Sequence, residues 1–111
     1  MNYNIHITDE ADHDMNQAVD YIEFSLQNPV AADALMDAVD LAVSSLARMP
    51  ERYRLVDDIV LASWGIRFIR VKNYLAFYTV SPKTAMVHIV RFLYAKSDWA
   101  FILRNSYMPE T

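Results

Sequence analysis

Gly65-Ile-Arg-Phe-Ile-Arg-Val-Lys-Asn-Tyr-Leu-Ala-Phe-Tyr-Thr-Val80, then Ser81-Pro-Lys-Thr84, then Ala85-Met-Val-His-Ile-Val-Arg-Phe-Leu-Tyr-Ala-Lys-Ser-Asp-Trp99, is the stretch that decides the fold. It holds three runs rich in β-branched and aromatic residues, separated by two short polar breaks. That pattern predicts an antiparallel meander. Lys72-Asn73 marks the first turn and Ser81-Pro82-Lys83-Thr84 the second. Pro82 has a fixed φ and no N–H, so it suits a turn and would interrupt a central strand. The meander strands are apolar on both alternating faces, which is consistent with partial cover on the second face as well.

Working outward toward the N-terminus, Tyr3, Ile5 and Ile7 alternate with polar residues and predict a short first strand. Thr8 is placed to cap a helix, with Asp9 and Glu10 at the positive end of its dipole. Ala11, Met15, Ala18, Val19, Ile22 and Leu26 then recur at three- and four-residue spacing, as in an amphipathic helix of about four to five turns. Asp12, Asp14, Asp20 and Glu23 are assigned to its opposite, polar side. Asn28-Pro29 ends this helix and starts a second, with Asn as N-cap and Pro at the first helical position. Its apolar series runs from Ala32 to Leu46, and Pro50 ends the periodicity. Two helices joined so tightly form an antiparallel hairpin whose shared apolar side packs on the sheet. Residues 51–63 have no clean period and predict a connecting segment with a short strand or turn. Beyond the meander, Ser97 and Asp98 precede a short apolar helix, and residues 105–111 are expected to form a flexible tail. The order β-α-α-β-β-β defines a single α+β domain over residues 1–111.

The chain has 111 residues, 54% of them hydrophobic, enough for one well-filled core. It contains no cysteine, so disulfide and thiolate chemistry are excluded. The N-terminal residues lack the pattern of a signal peptide, and no segment is apolar enough to span a membrane. A cytoplasmic location without membrane association is the expectation. The net charge of −4 is unevenly divided: residues 1–66 carry −9 and residues 67–111 carry +5. Such asymmetry points to an anionic partner for the basic half, or to neutralisation of one half by the other within the fold.

Several pieces, in this order and spacing, resemble the RelE/ParE superfamily of toxins from type II toxin–antitoxin systems. They are the first strand, Asn28-Pro29 with Ala31-Ala32 and Leu35, Met49-Pro-Glu-Arg-Tyr53 and Gly65-Ile-Arg67. They continue with Lys72-Asn-Tyr-Leu-Ala-Phe-Tyr78, Val87-His-Ile-Val-Arg-Phe-Leu-Tyr94 and Lys96-Ser-Asp98. The resemblance implies a curved antiparallel sheet with the helical hairpin against it. It also implies an antitoxin partner that wraps the toxin, with any operator DNA contacted through the antitoxin. RelE-like members cleave mRNA on the ribosome, whereas ParE-like members inhibit DNA gyrase without cutting anything themselves. RelE-like enzymes often carry an arginine directly after the third-strand tyrosine. Here Tyr74 is followed by Leu75, a departure toward the ParE-like pattern.

Metal-free RNA cleavage needs a base for the 2′-OH, cations for the phosphorane and an acid for the leaving oxygen. Arg67, Arg91, Lys96 and Tyr94 are the candidate catalytic residues, and Arg70, Lys72, Tyr74 and His88 the candidate substrate-binding ones. Arginine suits a phosphate because its planar fork donates two parallel hydrogen bonds. Arg67 and Arg70 lie three positions apart and should point to opposite faces of a regular strand. Arg91 sits among apolar neighbours and must be paired, with Asp98 as the expected partner, or face a groove. No Gly-rich phosphate loop, metal-ligand cluster or nucleophilic triad is present, so no cofactor or metal is implied. The expected activity is that of a growth-inhibiting toxin acting by ribosome-dependent mRNA cleavage. The alternatives are a non-enzymatic gyrase inhibitor and an inactive relative that only binds its antitoxin. A basic groove on which Arg67, Arg91 and Lys96 converge would favour RNA; an exposed apolar surface on the helical hairpin would favour a protein target.

Overall fold

The computed structural model describes residues 2–107. Strand β1 (Asn4–Ile7) leads directly into helix α1 (Asp9–Asp20). The Thr8 hydroxyl accepts the Ala11 N–H and donates to the Ile89 carbonyl at 2.9 Å, so one side chain caps the helix and anchors it to the sheet. The last turns of this helix widen into a π-helical segment, Tyr21–Ser25. Asn28 then caps α2 (Pro29–Ser45), accepting the Ala31 N–H at 3.1 Å, with Pro29 at the first position. Met49 adopts a left-handed conformation (φ 47°) and turns the chain into a 3-10 turn at Pro50–Arg52.

A five-residue helix, α3 (Ile59–Ser63), occupies the connecting segment that had no period. One and a half turns are too short to show periodicity. Asp58 forms this helix by accepting the Leu61 N–H at 3.0 Å, and it also pairs with Arg104 of α4 (Trp99–Ser106). The hydrogen bond from Arg104 holds the Asp58 carboxyl below the usual carboxylate range.

The meander forms as the sequence predicts: β2 (Arg67–Val71), β3 (Tyr74–Ser81) and β4 (Met86–Tyr94) pair antiparallel. Lys72 takes the left-handed conformation in the first turn and Ala85 in the second. The strand order is β1-β4-β3-β2, and β1 joins β4 in parallel rather than antiparallel. Of the two open edges of the meander, those of β2 and β4, β1 takes that of β4, and α1 follows from it across the sheet.

Cores lie on both faces. The helical hairpin covers one: Ala11, Ala18, Leu35, Val39, Val43 and Leu46 pack on Ile69, Val71, Ala76, Tyr78, Val87, Ile89 and Phe92. On the other, α3 and α4 bring Leu61 and Leu103 against Leu75, Phe77 and Val90, with Trp64 and Trp99 beside them. Residues 75–78 of β3 are therefore buried in unbroken succession. The final helix also takes up part of the expected tail. Asn105 and Ser106 continue α4, and Tyr107 lies 6.1 Å from the Trp64 ring. Residues 108–111 fall outside the described part.

Tyr78 ties the two halves of the chain together. It is fully buried, and its hydroxyl donates to the Pro50 carbonyl at 2.7 Å. Burial pushes its pKa up to about 12 from 10.0. The folded state therefore holds this proton more tightly than the unfolded chain, and the contribution is complete below pH 10 and lost as pH rises toward 12. Tyr78→Phe leaves the Pro50 carbonyl unpaired, at a cost of about 1–3 kcal/mol near neutral pH. The difference between wild type and variant in urea unfolding should shrink between about pH 10 and pH 12. A difference independent of pH would sever the link to this hydroxyl.

Candidate functional site

The eight residues singled out in the sequence do not form one constellation. Arg67 opens β2, opposite Tyr78, and its side chain is 21% exposed. It donates to the carbonyls of Tyr53 at 2.6 Å and Glu51 at 3.3 Å, fastening the 3-10 turn to the sheet. Its place is four residues from Val71, the partner of Tyr74, or about 13 Å along the strand.

Arg91 is also engaged. A bulge at Val90 shifts the register, so that Tyr78 faces Ile89 while Phe77 faces Arg91. In a regular strand Arg91 would share a face with Val87 and Ile89; the extra residue breaks that parity. The partner of Arg91 is Asp14 on α1, not Asp98: Nε and Nη2 reach the two carboxylate oxygens at 2.6 and 3.0 Å. Nη1 donates to the Ser106 hydroxyl on α4 at 2.9 Å. Asp14 also accepts the Phe92 backbone N–H at 3.0 Å, on the stretch of β4 beyond the end of β1. Asp14 is thus buried rather than on the polar side of α1. The sequence carried a signal for this: Asp14 lies three residues after Ala11 and four before Ala18, on the helix stripe that both alanines bury. The bidentate bond with Asp14 raises the Arg91 pKa further, so this arginine stays charged.

The other candidates divide into two places. At the turn end of the sheet, Tyr74 pairs with Tyr94, and the Ala95 N–H donates to the Asn73 carbonyl at 2.8 Å. That bond brings Lys96 beside the Lys72-Asn73 turn. Lys72, Lys96 and Arg70 are exposed there, with Arg70 Nε donating to the Lys72 carbonyl at 3.0 Å. Tyr74 stacks on Phe92 at 5.0 Å and meets Tyr94 edge-on at 5.7 Å. Burial, and then the nearby phenols of Tyr94 and Tyr21, push the Tyr74 pKa up. Its proton is consequently harder to transfer near neutral pH. Asp14, Gln17, Ala18, Tyr74, Phe92 and Tyr94 line a shallow hollow of about 220 Å³ between α1 and this end of β4. His88 stands apart, six residues up the strand, where its neighbour is His6 of β1.

This arrangement places three exposed cations and one exposed tyrosine at one end of the sheet. It brings neither a histidine nor either of the two anchored arginines, Arg67 and Arg91, to them as a free group. A second surface stands out on the hairpin. Phe24, Val30 and Leu41 are 66%, 79% and 75% exposed, and Tyr21, Leu26 and Met36 are each at least half exposed. Between the two helices, Met15, Val19, Met36, Val39 and Val43 line a groove of about 370 Å³ with Asp12 and Asp40 beside them.

Residues 5–99 match the family model of the ParE toxin of the type II toxin–antitoxin system, parDE. The chain belongs to the ParE toxin family. Among solved structures, a chain of the chromosomal ParDE toxin–antitoxin system from P. aeruginosa superposes with a TM-score of 0.68 at 17% identity, covering 85% of this toxin and 97% of that chain. A chain of the toxin–antitoxin complex RelBE2 from Mycobacterium tuberculosis gives 0.59 at 20% identity, covering 85% and 99%. At these identities the likenesses establish the fold shared by ParE and RelE toxins. No curated protein matches the toxin in sequence. No helix among the described residues is long and apolar enough to cross a membrane.

Proposed function

We propose that this toxin arrests growth by binding DNA gyrase rather than by cutting mRNA, and that an antitoxin silences it. The observation that carries the reading is the exposed apolar surface of the helical hairpin. Six large apolar side chains between Tyr21 and Leu41 are half or more exposed, and with the apolar groove between the two helices they offer contacts to a protein partner. The nuclease alternative needs a base, an acid and phosphate-binding cations around one scissile bond. Arg67 and Arg91 are instead tied into separate structural contacts. The cationic turn end, with Arg70, Lys72, Tyr74, Tyr94 and Lys96, then serves as the charged part of the target-binding surface. Family membership and the shared fold support the antitoxin partner. An antitoxin segment with apolar residues over the hairpin and acidic ones at the turn end would cover both surfaces.

The test is induction of the toxin in bacterial cells with thymidine and amino-acid incorporation followed separately. The expected outcome is early loss of DNA synthesis with protein synthesis continuing for some time. Early loss of translation, with new mRNA ends inside codons, would overturn the gyrase reading in favour of the nuclease.

A further inference from the structure

His6 and His88 stand directly opposite each other in the parallel register of β1 and β4. Adjacent strands are about 4.8 Å apart, so side chains at matched positions emerge next to each other on the same face. The two imidazoles meet edge to face, and their Nδ1 atoms are 3.2 Å apart. His6 is exposed and His88 half-buried, so the pair is open to solvent. The cover from α3 and α4 reaches Val90 on this sheet but the second core does not include His88.

We propose that His6 and His88 form a two-imidazole site for a late first-row divalent metal ion, with Zn²⁺ as the representative species. The geometry carries the inference. Zinc–imidazole bonds are about 2.0–2.1 Å long, so two nitrogens 3.2 Å apart subtend an angle of about 100–106° at a shared ion. That lies close to the tetrahedral value, so an ion fits without separating the strands. In the metal-free pair one Nδ1–H donates to the other Nδ1 lone pair. On binding, that proton moves to Nε2 of its own ring, and both Nδ1 lone pairs turn to the ion. No proton is lost and the charge of the ion is added. Among the described residues no third histidine or carboxylate completes the set, so water fills the remaining positions. Imidazole nitrogen selects copper, nickel and zinc over magnesium and calcium, which prefer oxygen. The ion would cross-link the four-residue edge strand to the centre of the sheet.

Zinc chloride titrated into tag-free protein tests this. Nuclear magnetic resonance should shift the ring protons of His6 and His88 together, ahead of those of His13 on α1. Calorimetry should give one ion per chain, with His6→Asn and His88→Asn each weakening it by about tenfold or more and His13→Asn leaving it unchanged. Zinc should also raise the melting temperature of the wild type and not of His6→Asn, because an ion bound only by the folded state stabilises it. No binding at about 1 mM zinc, or His13 shifting first, would overturn the site. So would binding undiminished in both variants. The resonance shifts are read on wild-type protein and decide the matter even if a variant fails to fold.

Discussion

Asp14→Ala should lower the free energy of unfolding by about 3–5 kcal/mol, the range for breaking one side of a buried ion pair. The side chain is 7% exposed and makes three hydrogen bonds: two from the Arg91 guanidinium and one from the Phe92 N–H. Removing it leaves the Arg91 charge without a counter-ion, with only the Ser106 hydroxyl as acceptor, and the Phe92 N–H without a partner, where Arg91 is itself only 18% exposed. Asp14→Asn keeps the volume and one acceptor, so its loss should be smaller. Asp14→Ala combined with Arg91→Met should recover part of the loss, because the uncompensated charge is gone. Urea unfolding followed by circular dichroism measures all three. A loss below about 1 kcal/mol for Asp14→Ala would mean that the pair contributes no more than an exposed one. This experiment also bears on function. A loss of toxicity in Arg91→Ala would follow from the weakened fold as readily as from a lost catalytic group, so stability must be measured beside it.

The second large effect is expected at the turn end of the sheet. Lys72→Glu with Lys96→Glu reverses two exposed charges and leaves both cores intact. Tyr94→Ala removes a ring that is 44% exposed. If this end meets the target, the double reversal should weaken inhibition of purified gyrase by about tenfold or more, chiefly through association rate, and the effect should fade with added salt. Tyr94→Ala should weaken it by about 30-fold, as loss of an aromatic anchor of about 2 kcal/mol would. Supercoiling assays across toxin concentration read both values, and thermal melts verify that the variants are folded. Full inhibition by both variants would move the target-binding surface away from this end and leave the hairpin, where Phe24→Ser and Leu41→Ser are the next substitutions. Tyr74 is a poorer probe. It stacks on Phe92 within the core, so truncating it costs stability as well as surface.

The sequence by itself determined the longer elements and most of their boundaries, because those depend on local chemistry, while the five-residue α3 was too short to show. Thr8 and Asn28-Pro29 begin the two hairpin helices, Lys72-Asn73 and Ser81–Thr84 separate the strands, and apolar runs on alternating faces were consistent with partial cover of the second face. The family was legible for the same reason, through the order and spacing of short motifs. Tertiary structure alone decided which partners the charged residues found. Arg91 and Asp14 are 77 residues apart, and His6 and His88 are 82 apart, separations over which no periodicity carries information. One inserted residue at Val90 re-aimed Arg91 relative to Val87 and Ile89, and no local signal marks such a bulge. A buried charge must find a partner wherever the packing brings one. The packing brought α1 onto the unpaired stretch of β4, where one carboxylate satisfies both the arginine and the strand edge.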